Sequence, residues 1–202
     1  VAASLTLAQA GQLKYQGQLT YNGADSYSYQ LQDDGGTANG GADSSGVYTA
    51  AITVNALNDA PLNTVAGAQS TREDTALAIT GLSLADVDAG AAAMTVTLSV
   101  GRGTLSVGTG NGVTVSGSGT GSVTLSGSQA DLNALLAGAA ALVYTPGQDF
   151  NGNDTLTMVS SDGGSVGSGG VQIDTDTIAI AISAVNDAPV ITSTTQSGTV
   201  SE

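Results

Sequence analysis

Apolar and polar residues alternate along much of the chain, and glycine-rich breaks separate the alternating runs. Met94, Val96, Leu98 and Val100 share one parity, with Thr95, Thr97 and Ser99 on the other. A period of two sends successive side chains to opposite faces of an extended strand. This run therefore predicts a half-buried antiparallel strand with its hydroxyls toward water. Shorter runs of strand character lie at 75–80, 104–107, 113–116, 123–126, 141–145, 154–160 and 178–182. Between them, Gly108-Thr109-Gly110-Asn111-Gly112 and Gly117-Ser118-Gly119-Thr120-Gly121 predict hairpin loops. One segment has a different period. Leu132, Leu135 and Leu136 stand at helical spacing, with Ser128 placed to cap a short helix and Gly138 placed to end it. About eight short strands, one short helix and many turns predict an all-β fold, an antiparallel β-sandwich.

The pattern is written more than once. Leu57-Asn58-Asp59-Ala60-Pro61 returns as Val185-Asn186-Asp187-Ala188-Pro189, 128 residues later. Tyr21-Asn22-Gly23-Ala24-Asp25 matches Phe150-Asn151-Gly152-Asn153-Asp154 at a spacing of 129, and Leu13-Lys14-Tyr15 matches Leu142-Val143-Tyr144. Asp34-Gly35-Gly36 matches Asp162-Gly163-Gly164 at 128. The chain reads as a tandem array. Residues 1–60 are the C-terminal part of one unit, 61–188 a complete unit, and 189–202 the start of a third, where Ser201-Glu202 answers Arg72-Glu73. Both ends fall inside units, so a longer parent chain is expected. Proline has no amide to donate and pushes the residue before it out of the helical region. The repeated phrase thus predicts a last strand running into a short, stiff linker.

Composition narrows the function. Apolar residues make up 41% but aromatics only 3%, so the core must be built from Val, Ile, Leu and Ala. Seventeen acids against three bases give a net charge of −14. Such a surface repels nucleic-acid phosphate and anionic membranes, and suits divalent cations or simply solubility. No run of 18 apolar residues predicts membrane insertion. With neither His nor Cys, the common general bases, thiol nucleophiles and transition-metal ligands are missing, and no enzyme is expected. A chain without cysteine suits a bacterial export product, secreted or on the cell surface.

Most acids in a Gly-rich β protein are turn residues. Asp43 and Asp131 read as turn and cap residues, Asp174 and Asp176 as solvent-facing, and Gly35–Asp43 as a loop. Position sets others apart. Asp86 and Asp88 lie two apart in a loop, Asp162 ends a strand before two glycines, and Asn58 and Asp59 occupy the linker. Calcium takes six to eight oxygens from carboxylates, amides and carbonyls. If those loops share one pole of the sandwich, the acids converge on the linker. Without a cation they would repel by about 1 kcal/mol per pair at 4 Å even in water.

Arg72-Glu73-Asp74-Thr75, Asp86-Val87-Asp88, Asp149-Phe150-Asn151-Gly152-Asn153-Asp154, Ser161-Asp162-Gly163 and the closing Val185-Asn186-Asp187-Ala188-Pro189 together resemble a known pattern. It is that of the cadherin-like tandem repeats of giant bacterial RTX-type adhesins, with similarity to chondroitin-sulfate-proteoglycan-like repeats as well. The resemblance implies Ca²⁺ at the junctions between units. Asp25, Asn58, Asp59, Asp86, Asp88 and Asp162 would serve the first junction. Glu73, Asp154, Asn186 and Asp187, with Asp149 beside them, would serve the second. The chain departs from the cadherin pattern where Ser183 and Thr53 stand in place of a linker Asp, where the Asp-Arg-Glu motif is missing, and where Thr20 answers Asp149. The expected function is a calcium-stabilised extender whose partners are neighbouring repeats of the same chain. The alternative is a module that itself grips a cell-surface glycan or protein, with the loops from Gly108 to Gly121 as its best place.

Overall fold

The computed structural model describes residues 5, 7–10, 12–138, 142–164, 166–189 and 198. The elements in chain order are α1 (Leu7–Ala10), β1 (Gly23–Tyr29), a 3-10 turn at Ala38–Gly40, β2 (Tyr48–Val54), β3 (Leu62–Thr64), β4 (Gln69–Arg72), β5 (Leu77–Ile79) and β6 (Ser83–Ala85). There follow β7 (Ala93–Ser99), β8 (Gly103–Val107), β9 (Thr114–Ser116), β10 (Ser122–Ser128), α2 (Gln129–Leu136), β11 (Leu142–Pro146), β12 (Gly152–Ser161) and β13 (Ile173–Ser183).

The protein is mostly β. A six-stranded sheet runs in the order β4-β13-β12-β7-β10-β9, and a three-stranded sheet runs β5-β11-β8. The alternation explains how they meet. Met94, Val96 and Leu98 of β7, Val123 and Leu125 of β10, and Leu156 and Met158 of β12 turn to one side and are fully buried. Ile79, Leu105, Leu142 and Tyr144 of the smaller sheet join them in the same core. Helix α2 adds Leu132, Leu135 and Leu136, and Ser128 caps it by accepting the Asp131 amide at 3.2 Å. Its C-cap is Ala137, and Gly138 follows directly after it. The core is built of Leu, Ile, Val, Ala and two Met, with Tyr144 its one fully buried aromatic among the described residues.

Three strands were not expected: β3, β4 and β6, each three or four residues long. One of them departs from the antiparallel rule. β4 pairs with β13 in parallel, Gln69 to Ile180 through Arg72 to Ser183, while every other ladder between named strands is antiparallel. β4 runs directly into Glu73, whose amide donates to the Ser183 carbonyl, so the parallel pairing fixes Glu73 beside the end of β13.

The two longest hairpins share one register. In β12–β13, Gly152 faces Ile182 and Met158 faces Asp176. In β1–β2, Gly23 faces Val54 and Tyr29 faces Tyr48. The first strands are thus offset by 129 residues and the second strands by 128. The Asp33 amide bonds the Asp43 carbonyl just as the Asp162 amide bonds that of Gln172, so the one-residue gap falls between Asp43 and Tyr48. This corrects the expected pairing of Asp34 with Asp162: Asp33 holds that place, and its carboxylate caps the Gly35 amide as Asp162 caps that of Gly164.

Candidate metal centres

The β12–β13 hairpin has two ends, and each carries one of the repeated linker phrases. Ten residues of β12 at ~3.3 Å each put the ends about 30 Å apart.

At the first pole the linker is clamped by the loop after β12. The Asn58 amide donates to the Ser168 carbonyl at 2.8 Å, and the Ser168 amide donates to the Ala56 carbonyl at 3.0 Å, a parallel bridge between Leu57 and Ser168. Gly167 makes this approach possible. A Cβ there would stand 2.9 Å from the Asn58 nitrogen and 2.9 Å from the Leu57 carbonyl carbon. Read from sequence, the stretch 163–170 is a loop tip; in the fold it holds the linker.

Side chains close the same pole. Asn58 and Asp162 are only 6% and 4% exposed. The Asn58 Nδ2 donates to Asp162 Oδ2 and, at 2.7 Å, to the Gly170 carbonyl. Asp162 Oδ1 accepts the amides of Gly164 and Gln172 at 2.8 and 2.9 Å. Burial alone would raise the Asp162 pKa, but the donors of Gln172, Asn58 and Gly164 outweigh it and hold the carboxyl below its ordinary value. Across the linker, Asp86 Oδ1 accepts the amides of Asp88 and Ala89, which folds the 86–89 loop back on itself. Asp88 Oδ2 accepts the Asp59 amide at 3.0 Å and ties that loop to the linker.

Three oxygens at this pole are left over. Asn58 Oδ1, Asp86 Oδ2 and Asp88 Oδ1 are buried, and none has a hydrogen-bond donor among the described residues. A buried polar atom without a partner costs about 1–3 kcal/mol, and more when charged. All three are acceptors while both carboxylates are ionised, and in that state they gain nothing from one another. Burial, and then the neighbouring Asp88, raise the Asp86 pKa. Oxygen-only donors of this kind are the type that hard cations take, where soft metals take sulfur and nitrogen. Asp59 contributes its amide rather than its carboxylate, which is exposed.

The second pole is built differently. Glu73 is buried; one of its oxygens accepts the Val185 amide, and the other accepts Asn151 Nδ2 at 3.3 Å. Beside it, Asp74, Asp149 and Asp187 bring carboxylate oxygens within 4.8 Å of one another, all exposed. Asp74 and Asp149 both sit at left-handed φ, 57° and 54°, and the Asp149 amide donates to Asp74 Oδ1 at 3.3 Å. Burial and the charges of Asp149, Glu73 and Asp74 raise the Asp187 pKa. Asn186 is exposed, its side-chain amide 3.5 Å from the Asp187 carbonyl. Asp74 was not singled out from sequence, although it stands next to Glu73 in the same motif.

Two expected ligands are elsewhere. Asp154 accepts four donors: the Gly101 and Thr155 amides on Oδ1, and the Arg102 amide and Tyr144 hydroxyl on Oδ2, at 2.8–3.0 Å. Its carboxylate locks the β7–β8 turn to β11 and is not among the second-pole acids. Asp25 lies within β1, where it accepts the Tyr15 hydroxyl at 2.7 Å and the Ser26 amide at 2.7 Å. Asp174 and Asp176, read as solvent-facing, are half-buried instead; the Asp174 carboxylate caps the Asn63 amide at 2.7 Å and ties β3 to β13. The groove beside the loop at 108–111 is lined by Thr109, Asn111, Asp131 and Leu135 among others, and its lining holds no aromatic ring. No helix among the described residues is long and apolar enough to cross a membrane. No known protein family matches the chain, and no curated protein matches it.

Proposed function

We propose that this chain is a non-enzymatic extender, a calcium-braced cadherin-like repeat of a long adhesin that works outside the cell. One observation carries the proposal: three buried, donorless oxygens, from Asn58 in the linker and from Asp86 and Asp88 in the loop bonded to it. Ca²⁺ bound there would be held by residues on both sides of the junction, with carbonyls and water completing the shell. It would remove the repulsion between the two carboxylates and fix the angle at which one unit follows the next. The second pole adds a weaker, water-exposed group of acids around Asp187 at the other linker. Because the linkers leave from opposite ends of the β12–β13 hairpin, bracing both would set successive units in line.

Affinity of about 10⁻⁴–10⁻³ M, the range of extracellular modules, suffices for this role. Small-angle scattering with saturating Ca²⁺ and with chelator tests it. The expected result is a longer, narrower particle with Ca²⁺ and a broadened distance distribution without it. An Asp88→Ala variant should give the chelated profile under both conditions. An unchanged maximum dimension in the unaltered chain sinks the brace.

A further inference from the structure

The β1–β2 hairpin exposes a face that the rest of the fold would bury. Leu13, Tyr15, Tyr27 and Tyr29 stand 129 residues before Leu142, Tyr144, Leu156 and Met158. The later four are at most 1% exposed, and the earlier four are between 43% and 56% exposed. Tyr27 and Tyr29, with ring centroids 6.1 Å apart, and Tyr48, 5.9 Å from Tyr29, form an aromatic patch on that face. Both edges are open as well. In the complete unit β12 pairs onward with β7, and β13 with β4. Among the described residues β1 and β2 pair only with each other. A two-stranded hairpin with a wet apolar face is marginal by itself.

Asp25 says what belongs there. It repeats half of the Asp154 arrangement: Tyr15 hydroxyl for Tyr144 hydroxyl, and Ser26 amide for Thr155 amide. The other half, the two successive amides of Gly101 and Arg102 from the turn between β7 and β8, has no counterpart on Asp25 among the described residues. A carboxylate accepts about four hydrogen bonds, so Asp25 has room for two more.

We propose that the open face and edges of β1–β2 are a docking surface for the first half of a repeat unit, a segment like residues 62–128. A β7-like strand pairs with the free edge of β1 and sets an apolar residue opposite Tyr29, as Leu98 faces Met158. The turn after it delivers two amides to Asp25. The tyrosines, larger than the Leu and Met they replace, fit an occupant with smaller side chains facing them. The inference stands on register, exposure and hydrogen bonds, and is independent of any bound cation.

A copy of residues 61–129 joined ahead of Val1 restores the repeat phase, since Val1 stands where Ala130 does. Amide hydrogen exchange of β1 and β2, measured in chelator, reads the docking. In the extended chain these amides should exchange about a hundredfold more slowly than in the chain alone. Asp25→Ala in the extended chain should return most of that protection. A second extended version carrying Tyr27→Leu and Tyr29→Met controls for a misfit of the copied half. Equal exchange with and without the extension in both versions overturns the proposal. So does protection only in the Leu/Met version, which would mean that the tyrosines face another partner. Because chelator is present throughout, failure here leaves the calcium brace standing, and the reverse also holds.

Discussion

Asp86 and Asp187 are carboxylates whose surroundings resist the charge, while Asp162 is one whose surroundings demand it. Burial and the neighbouring Asp88 raise the folded pKa of Asp86, while desolvation and three neighbouring acids raise that of Asp187, where exposure to solvent screens most of the effect on stability. A group whose folded pKa is raised contributes stability that is complete below its unfolded value, about 3.9, and is lost as pH rises through the folded value. Asp162 has the opposite sign. Its lowered pKa contributes stability above about 3.9 that is lost as pH falls through the folded value. Without calcium the melting temperature should therefore climb as pH drops from 7 toward about 4, then fall. Saturating Ca²⁺ competes with the protons and should flatten the climb. Asp86→Asn, which can neither gain nor lose the charge, should shrink the climb even without calcium. Circular-dichroism melts between pH 3 and 7 measure this. A steady fall from pH 7 in the calcium-free chain would count against the assignment of these carboxylates.

Identical register positions carry different weights in the two hairpins, and that is a property of elements rather than residues. Leu156→Ala empties a site in the core and should destabilise the complete unit by about 2–5 kcal/mol. Tyr27→Ala, at the matching position of β1, removes an exposed ring and should change stability by no more than about 0.5 kcal/mol in the chain alone. Denaturant unfolding of both variants checks the contrast. The same distinction decides how much of the fold the sequence discloses. β7 and the helix α2 are legible because their periods of two and of helical spacing are unbroken. β4 is not, since Gln69-Ser70-Thr71-Arg72 is polar throughout and becomes a strand only by pairing with β13. The acids divide in the same way. Asn58, Asp86 and Asp88 are marked by their places in a linker and a loop, and each keeps one buried oxygen without a donor among the described residues. Asp154 looks no different in sequence, yet Tyr144 and two turn amides have already claimed it. Gly167 matters only because another backbone passes within contact distance, which no local pattern encodes.

For the whole molecule, a net charge of −14 means that any salt will stabilise it to some degree, and a brace has to be distinguished from screening. Screening depends on ionic strength and acts on all seventeen acids; at about 1 M salt the Debye length falls to ~3 Å and the general repulsion is nearly gone. Site binding saturates at much lower concentration and follows mass action, giving about 2.7 kcal/mol when the free ion is at 100 times its dissociation constant. The two poles separate the effects further. The second-pole acids Asp74, Asp149 and Asp187 are exposed, so sodium should relieve much of their repulsion. The first-pole oxygens of Asn58, Asp86 and Asp88 are buried, so on the proposed reading sodium at the same ionic strength should not replace a divalent ion there. Melting curves in CaCl₂ and in NaCl of matched ionic strength should thus differ by a surplus specific to calcium. Asp88→Ala should erase that surplus and leave the sodium response intact, while Asp149→Asn should reduce the sodium response and leave most of the surplus. If calcium and sodium raise the melting temperature of the unaltered chain equally, the negative charge serves solubility, and the buried oxygens of the first pole bind water instead of an ion.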